Sequence, residues 1–378
     1  MGLFDFIKNQ IAPPKGNVAQ TNSSVSKTSP KIEFDYETDN RVPSLESRLS
    51  KAYPSKYGLY PHEILMLDYA HTYKNTKNQF QNFWKCNYSV DNPQSVLDSL
   101  LQRGFIIEGN ARSTLTNLKV GDLKDLLTKV GEKTTGKKEE LIQRILTKYS
   151  DETLTDMFPE KYFEVTQKGI DELSQNAYVP YLHRHSYMNI WEMNYYLNCD
   201  NPSHLGYRDI LWREFNKQAG EHFQNCDFGL YRNVRLNMHD FLMEESKYKT
   251  ALHMLVEVAS FDLSGLGNGD KPGRTDRTWR ELRYQSKFAN LFFDDEHEAV
   301  IPPGIINYFM KLHELLGMPE NEFKKYIYEE FSKVKIHERV FLHDECANIV
   351  LASLGLEERK IKNSRKVAET RLKKMLSL

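Results

Sequence analysis

Apolar side chains recur every three or four positions over most of this chain, which predicts helices, and β-prone runs interrupt the pattern at few places. Before residue 104 the spacing predicts three short helices, at 60–70, 80–84 and 92–103. The third should begin with Asn92 as its N-cap and Pro93 in its first turn, and a glycine follows it. The next run, 105–107, has the composition of a strand.

Three short helices followed by a strand have the order of a winged helix-turn-helix. The second strand of the wing is not adjacent; a matching run appears about fifty residues later, at 162–166, followed by a helical run at 167–173. This phrase is similar to the strand, turn and final helix that close many bacterial winged-helix domains. The sequence therefore predicts a winged-helix-like domain, residues 45–114 and 150–177, with an insert in its wing.

The insert, residues 115–149, carries two apolar stripes at helical spacing. The first stripe is Leu123, Leu126, Leu127 and Val130, and the second is Leu141, Ile142, Ile145 and Leu146. Gly131 should end the first helix, and Thr135 or Gly136 should cap the second. We expect a helical hairpin whose two apolar faces are buried only against each other.

The spacing and residue types of this hairpin resemble the SAP domain, a helix-extended-helix module that binds DNA. The resemblance covers residues 115–149 and includes a Gly-x-Lys pair, Gly136 and Lys138, with Arg144 downstream. Glu132 is a departure, because the family usually has an apolar residue after the glycine. The resemblance implies that this part of the chain contacts DNA.

The uncovered surface of the hairpin has the chemistry of a phosphate site. Eight basic residues stand against five acidic ones between 115 and 149, and the N-terminus of the second helix adds free N–H groups beside two lysines. Such a surface contacts the DNA backbone and groove shape rather than base edges. The candidate DNA-binding residues are Lys119, Lys124, Thr135, Gly136, Lys137, Lys138 and Arg144. The alternative is that these side chains only solvate a small hairpin.

Helix 92–103 takes the place of a recognition helix. Its candidate contact residues are Gln94, Ser95, Ser99, Gln102 and Arg103. Asp98 lies on the same helix, and phosphates repel a carboxylate unless it accepts a hydrogen bond from a cytosine amine. Many winged helices bind protein instead, so the sequence leaves open whether this helix contacts DNA.

The remaining residues, 178–378, predict a separate all-helical C-terminal domain. The helical runs are 236–259, 305–316, 320–334, 341–354 and a last basic one within 357–378. The last run is either a second phosphate contact or a solvated face. The glycine-rich stretch at 262–273 lacks the spacing of a phosphate-binding loop, and it predicts a mobile loop.

Two metal sites are conceivable in this half. His183, His185, Cys199 and His204 offer zinc ligands, although their spacing fits no standard finger. Glu257, Asp262, Asp294 and Glu298 could converge as the metal site of a nuclease. Neither pattern is specific, so we assign no catalytic residue, no metal ligand and no cofactor.

Composition and charge limit the classes of protein that fit. The chain has 51 Lys+Arg and 52 Asp+Glu, a net charge of −1, which excludes coating of nucleic acid by the whole surface. Residues 115–149 and 357–378 carry net charges of +3 and +5, so basic charge is concentrated in these two segments and the rest of the chain is acidic. No apolar run is long enough for a membrane span and no secretory signal is present, which favours the cytoplasm. The four cysteines lack metal or redox spacing.

Residues 1–44 combine a small apolar cluster with a polar, proline-containing stretch, which predicts a flexible tether. The whole arrangement, with Leu230-Tyr231-Arg232-Asn233 and Asp262-Leu263-Ser264-Gly265 in the C-terminal half, resembles uncharacterised SAP-domain proteins of Gram-positive bacteria and their phages or plasmids. That resemblance implies no known reaction.

The leading interpretation is a mainly helical, non-enzymatic protein that grips duplex DNA through the SAP hairpin. Its C-terminal domain would bind a partner protein or self-associate. Two alternatives stay open: a metal-dependent nuclease or other DNA-processing enzyme that uses the hairpin for targeting, and a protein-interaction scaffold.

Overall fold

A computed structural model describes residues 43–199, 201, 203–264, 266–269, 301–336 and 341–356. Outside these ranges lie the predicted last basic helix, Asp294 and Glu298. The predicted tether, residues 1–44, also lies outside them except for its last two residues, Pro43 and Ser44. The described chain is mainly helical, as predicted. None of its helices is both long and apolar enough to cross a bilayer.

The first part of the described chain holds eight α-helices, a short 3-10 helix at Ala70–Thr72 and two short strands. The elements are α1 (Leu45–Leu49), α2 (Pro61–Tyr69), α3 (Phe83–Cys86), α4 (Pro93–Gln102), β1 (Ile106–Glu108), α5 (Ala111–Asn117), α6 (Val120–Lys129), α7 (Lys138–Lys148), α8 (Asp151–Met157) and β2 (Phe163–Val165). Helix α4 begins as predicted, since the Asn92 side chain accepts a hydrogen bond from the Ser95 N–H at 3.3 Å and Pro93 follows the cap.

In the second part, all the regular elements among the residues that the structure describes are helices. Its helices are α9 (Gln167–Gln175), α10 (Tyr178–His185), α11 (Ile190–Cys199), α12 (Tyr207–Gln224), α13 (Phe228–Glu244), α14 (Tyr248–Asp262), α15 (Pro303–Leu316), α16 (Glu320–Lys333) and α17 (His343–Ser353). The last three confirm the predicted helical runs.

The two strands pair across the insert, which confirms the predicted link between residues fifty positions apart. Strands β1 and β2 are antiparallel, with Ile106 opposite Val165 and Glu108 opposite Phe163. Residues 73–75 add a third edge that the sequence analysis missed: Lys74 forms a bridge with Tyr162, and the Phe163 N–H donates to the Tyr73 carbonyl at 3.1 Å. The small sheet therefore joins a segment after α2, the strand after α4 and the strand after the insert.

The insert has its own hydrophobic core, separate from the core of the remaining described chain. Its buried residues are Leu115, Leu123, Leu126, Leu127, Leu141, Ile142, Ile145 and Leu154. Leu115 belongs to α5 and Leu154 to α8, so the prediction that two helices bury only each other was wrong. Four helices, α5 to α8, therefore line this core. We call residues 111–158 the inserted unit.

The larger core is continuous across residue 178, where the sequence predicted a boundary. It contains Leu65 of α2, Leu182 of α10 and Met193 of α11 in one cluster with the helices that follow. Helix α14 lies at its centre and packs against α13, α15, α16 and α17. The helices before residue 178 and those after it therefore share one buried apolar core.

The helix predicted at 236–259 is two helices, and this correction has a local cause. The chain turns after α13 at Ser246, which has a φ of +56°, before α14 begins. The Lys247 N–H donates back to the Leu242 carbonyl at 2.9 Å and closes the turn. The periodicity on both sides has the same phase, so it gave no sign of the break.

The glycine-rich stretch is held in place over the part that the structure describes, which overturns the predicted mobile loop there. The Asn268 side chain accepts hydrogen bonds from the N–H groups of Gly229 at 2.9 Å and Leu230 at 3.2 Å. Asn268 also forms a backbone bridge with Asp227, and the Gly269 N–H donates to the Cys226 carbonyl at 2.9 Å. A residue almost forty positions away thus caps the N-terminus of α13.

We expect Asn268→Ala to lower the free energy of unfolding by about 1 kcal/mol, the usual effect of removing a side-chain cap. Urea unfolding followed by circular dichroism would measure it. The matched control is Asn307→Ala, because Asn307 is exposed on α15 and caps nothing. Equal stability of Asn268→Ala and the wild type would contradict this capping role.

Candidate nucleic-acid interface

The inserted unit is attached to the sheet through neighbouring points. The Gly109 N–H donates to the Tyr162 carbonyl at 2.8 Å, so the chain leaves and re-enters the sheet side by side. A side chain at Gly109 would meet this carbonyl, since an added Cβ would lie 2.6 Å from the Tyr162 oxygen. The close approach requires glycine and fixes where the unit begins.

Helix α6 ends as the sequence predicted. Gly131 has a φ of +68°, the left-handed conformation that glycine adopts without strain. The Glu132 N–H donates to the Leu127 carbonyl at 2.9 Å and the Gly131 N–H to the Thr128 carbonyl at 3.1 Å, which is a Schellman motif. The loop between α6 and α7, residues 131–137, starts from this fixed end.

Helix α7 begins later than predicted, at Lys138, with Lys137 as its N-cap residue. The Lys137 N–H donates to the carboxylate of Glu140, three residues on, at 3.3 Å. Thr135 and Gly136 therefore lie in the loop and do not cap the helix. Helix α6 begins in the same way, because the Lys119 N–H donates to Asp122 at 3.1 Å. In both cases the acidic residue in the first turn was a signal for the true start.

Several predicted DNA-binding side chains are engaged within the unit. The Lys138 ammonium donates to the Thr116 carbonyl at 2.6 Å, and the Arg144 guanidinium donates to the Lys133 carbonyl at 2.6 Å. Three ion pairs that were not anticipated join Arg112 to Glu139, Arg144 to Glu140 at 3.7 Å, and Lys148 to Glu132 at 2.7 Å. The hydrogen bond from Lys148 holds the pKa of Glu132 below its ordinary value, so this carboxylate is charged.

Five lysines of the unit are exposed and make no ion pair with any residue that the structure describes. They are Lys119, Lys124, Lys129, Lys133 and Lys137. Lys133 and Lys137 lie in the 131–137 loop together with the exposed Thr135 and Gly136. Lys129 and Lys133 are among the eight basic residues of the predicted hairpin but not among its candidate DNA-binding residues. Only the structure separates the basic side chains that hold the unit together from those that do not.

The unit as a whole is almost neutral. Residues 111–158 contain nine basic and eight acidic side chains, since α8 adds Asp151, Glu152 and Asp156 to the predicted hairpin. Four of the nine basic side chains are bound to carboxylates or carbonyls of the unit, namely Arg112, Lys138, Arg144 and Lys148. Any electrostatic grip must therefore come from the placement of the five exposed lysines rather than from net charge.

The candidate recognition helix, α4, presents few free cations. Arg103, the residue after α4, pairs with Glu63 of α2 at 2.8 Å and donates to the Gly58 carbonyl at 2.9 Å. The Gln94 amide donates to Asp98 at 2.9 Å, and the Ser95 hydroxyl donates back to the Asn92 carbonyl at 2.8 Å. Gln102 is exposed and Ser99 is half-buried. The basic end of α4 is thus directed into the protein.

Of the four carboxylates considered for a nuclease, the two that the structure describes, Glu257 and Asp262, are bound to arginines. Glu257 contacts Arg235 and the Tyr231 hydroxyl, each at 2.7 Å, and Asp262 receives two hydrogen bonds from Arg232 at 2.8 and 2.9 Å. Burial alone would raise the pKa of Glu257, but Arg235 and His253 lower it to about 2. The two sequence phrases singled out above, around Tyr231 and Asp262, are therefore the two sides of a buried polar network.

The residues considered for zinc are held apart by other partners. His183 lies between the hydroxyls of Tyr69 and Tyr88, at 3.0 and 2.7 Å, and His185 contacts Glu244 at 3.0 Å. The Cys199 thiol contacts the Tyr53 hydroxyl. Among the residues that the structure describes, no three His, Cys, Asp or Glu side chains are arranged to hold a metal ion.

Comparison with known proteins identifies the inserted unit. A family model for the SAP domain matches residues 114–147. An E3 SUMO-protein ligase of Arabidopsis thaliana, SIZ1, is 35% identical over 72 residues, which are 19% of this chain and 8% of that protein. The chain thus matches only a small part of that relative, and no solved structure matches. The chain contains a SAP domain, and this domain lies within the inserted unit.

Proposed function

We propose that this protein binds duplex DNA through the sugar-phosphate backbone, and that the exposed lysines of the inserted unit make the contact. The SAP match at residues 114–147 supports a nucleic-acid partner. The observation that carries the assignment to particular residues is that five exposed lysines have no ion pair with described residues, whereas the other four basic side chains are engaged. Thr135 and Gly136 lie in the same exposed loop as Lys133 and Lys137 and contribute backbone N–H groups.

The free cations favour phosphate contacts over base contacts. Lysine is a compact point charge, whereas arginine supplies the planar pair of donors that reads guanine. Both arginines of the unit, Arg112 and Arg144, already bind groups within it. Lys138 and Arg144, which the sequence placed in the interface, act mainly as supports in this proposal. Binding should therefore depend weakly on DNA sequence and strongly on salt.

The part that carries the unit has the element order of a winged helix. Helix α2, the edge at 73–75, α3, α4, β1 and β2 follow one another, and the inserted unit occupies the place of the wing tip. We propose this arrangement for the predicted ranges 45–114 and 150–177, apart from residues 111–114 and 150–158, which pack in the inserted unit, with α4 as the helix that would enter a groove. Its candidate residues Gln94, Ser95, Ser99 and Gln102 remain secondary, because Arg103 pairs with Glu63. We assign partner binding or self-association to the C-terminal helices.

The direct test is the double substitution Lys133→Gln/Lys137→Gln. We expect the affinity for a duplex to fall about tenfold at moderate salt, because two phosphate contacts are lost. The slope of log K against log salt should become shallower by about 2, close to 0.9 for each contact. Mobility-shift titrations at several salt concentrations, on two duplexes of unrelated sequence, measure both quantities.

Lys311→Gln/Lys335→Gln is the matched control, since Lys311 is exposed on α15, Lys335 is exposed just after α16, and neither forms an ion pair among the described residues. This control should bind like the wild type. An unchanged affinity and slope for Lys133→Gln/Lys137→Gln would rule out the loop as the DNA contact.

A further inference from the structure

One row of side chains on α7 holds the loop that carries Lys133 and Lys137. The row is Glu140, Arg144 and Lys148, spaced four residues apart and therefore aligned along the helix. Glu140 accepts from the Lys137 N–H at 3.3 Å, Arg144 donates to the Lys133 carbonyl at 2.6 Å, and Lys148 contacts the Glu132 carboxylate at 2.7 Å. Each member binds a different point of the 131–137 loop.

We propose that this row is a clamp that fixes the loop before DNA arrives, and that Glu132, Arg144 and Lys148 are positioning residues for phosphate binding by Lys133 and Lys137. The inference rests on the function proposed above. It assigns a role to Glu132, the position at which the chain departs from the usual SAP pattern. An apolar residue there would pack the loop by burial, and here an ion pair does so instead.

The packing of the loop supports the clamp independently of its ion pairs. Gly136 has a φ of +128°, and a Cβ added there would lie 2.3 Å from the Glu140 carboxylate and 2.9 Å from the Arg144 guanidinium. The row thus closes directly over the loop backbone. The side chains of Glu132 and Arg144 are each only 28% exposed, although their neighbours in the loop are largely exposed.

The physical benefit of the clamp lies in conformational entropy. The loop contains two glycines with positive φ, Gly131 and Gly136, which leave a free chain many conformations. Contacts within the protein offset the conformational entropy that the loop loses during folding, so less entropy is lost when the lysines bind phosphate. Loosening the clamp should therefore weaken binding without removing any DNA contact.

Glu132→Gln separates this inference from simple charge counting. The substitution removes a negative charge beside the DNA-binding lysines, so charge alone predicts tighter binding. The clamp predicts the opposite: affinity should fall about three- to fivefold, the size expected from losing one partly exposed ion pair, with an unchanged salt slope. Glu152→Gln is the matched control, because it removes the same charge from an exposed position on α8 with no ion pair among the described residues. It should bind as tightly as the wild type or more tightly.

Lys148→Gln should weaken binding by a similar factor, also without changing the slope, whereas a direct phosphate contact by Lys148 would make the slope shallower by about 1. The charge-exchanged pair Glu132→Lys/Lys148→Glu should recover most of the lost affinity. Hydrogen exchange of the 131–137 amides in the free protein should be faster in both single variants and slow again in the exchanged pair.

The outcomes distinguish the two proposals. The clamp would be overturned if Glu132→Gln bound DNA more tightly than the wild type, as Glu152→Gln is allowed to do. It would also be overturned if hydrogen exchange of the 131–137 amides were unchanged in the single variants. In both cases binding by the wild type would leave the proposed function intact. Failure of the wild-type chain to bind any duplex would overturn the proposed function and, with it, the role of the clamp in binding.

Discussion

Glu257→Gln should lower the free energy of unfolding by about 3 kcal/mol or more, the largest effect we expect from one substitution in this protein. The Glu257 side chain on α14 is only 12% exposed, and its carboxylate contacts Arg235 of α13 at 2.7 Å. The Arg235 side chain is only 15% exposed, so loss of the carboxylate charge leaves a buried guanidinium without a counter-ion. Desolvation of an unpaired charge is what makes the breaking of such a pair costly.

Urea unfolding of the wild type and Glu257→Gln at pH 7 would measure this difference. The matched control is Glu329→Gln on α16, whose pair with Lys325 is exposed on both sides and 3.7 Å long. This control should change stability by less than about 0.5 kcal/mol. If Glu257→Gln were instead more stable than the wild type, the pair with Arg235 would not stabilise the fold, and the carboxylate would cost stability as groups kept for function often do.

Local signals in the sequence were sufficient for the elements that carry their own start and stop. Asn92 and Pro93 marked the beginning of α4, and Gly131 marked the end of α6, because a cap or a left-handed residue acts within its own turn. The pairing of β1 with β2 was also predictable, because both runs have β-prone composition and the order of elements around them is that of a winged helix.

Features that depend on distant partners were not predictable. The edge at 73–75 has only a few paired residues, too short to give a strand pattern. Asn268 caps α13 from a glycine-rich stretch, and its sequence neighbours indicated only a loop. The break at Ser246 interrupts two helices of equal amphipathic phase. In each case the stabilising contact is made in three dimensions and leaves no local periodicity.

The candidate interface shows the same division. The SAP resemblance located the loop and one of its two lysines, Lys137, because residue type and spacing are enough to recognise the module. It could not separate Lys137, which is exposed, from Lys138, which donates to the Thr116 carbonyl. Arg144 was selected for its charge, yet it donates to the Lys133 carbonyl. Which cations remain for a ligand depends on hydrogen bonds that only the folded chain defines.

A histidine at the other end of the Glu257 network makes stability depend on pH. The His253 ring lies between Glu257 at 3.3 Å and Glu330 of α16 at 2.7 Å, so it joins α14 to α16. Burial alone would lower its pKa, but hydrogen bonds and the charges of Glu257 and Glu330 raise it to about 9. Arg235 and Lys333 are the cations nearest to these two carboxylates. At neutral pH the ring is therefore protonated and acts as a bridge between two anions.

The pH dependence follows from this raised pKa. The protonated His253 ring contributes its full stabilisation below its unfolded pKa of about 6.5, and this stabilisation is lost as pH rises through its folded pKa of about 9. The difference corresponds to about 3 kcal/mol, and we expect about 2 kcal/mol because the ring is 29% exposed. Urea unfolding at intervals from pH 6 to 9.5, below the range where most tyrosines and lysines titrate, should show the fall in the wild type. His253→Gln should be less stable than the wild type at pH 6, and its free energy of unfolding should hardly change over the same pH range. The control is His222→Gln, because His222 forms no ion pair among the described residues, and it should keep the wild-type pH dependence. A wild-type curve as flat as that of His253→Gln would mean that His253 is neutral in the folded protein and that the two carboxylates are balanced by Arg235 and Lys333 alone.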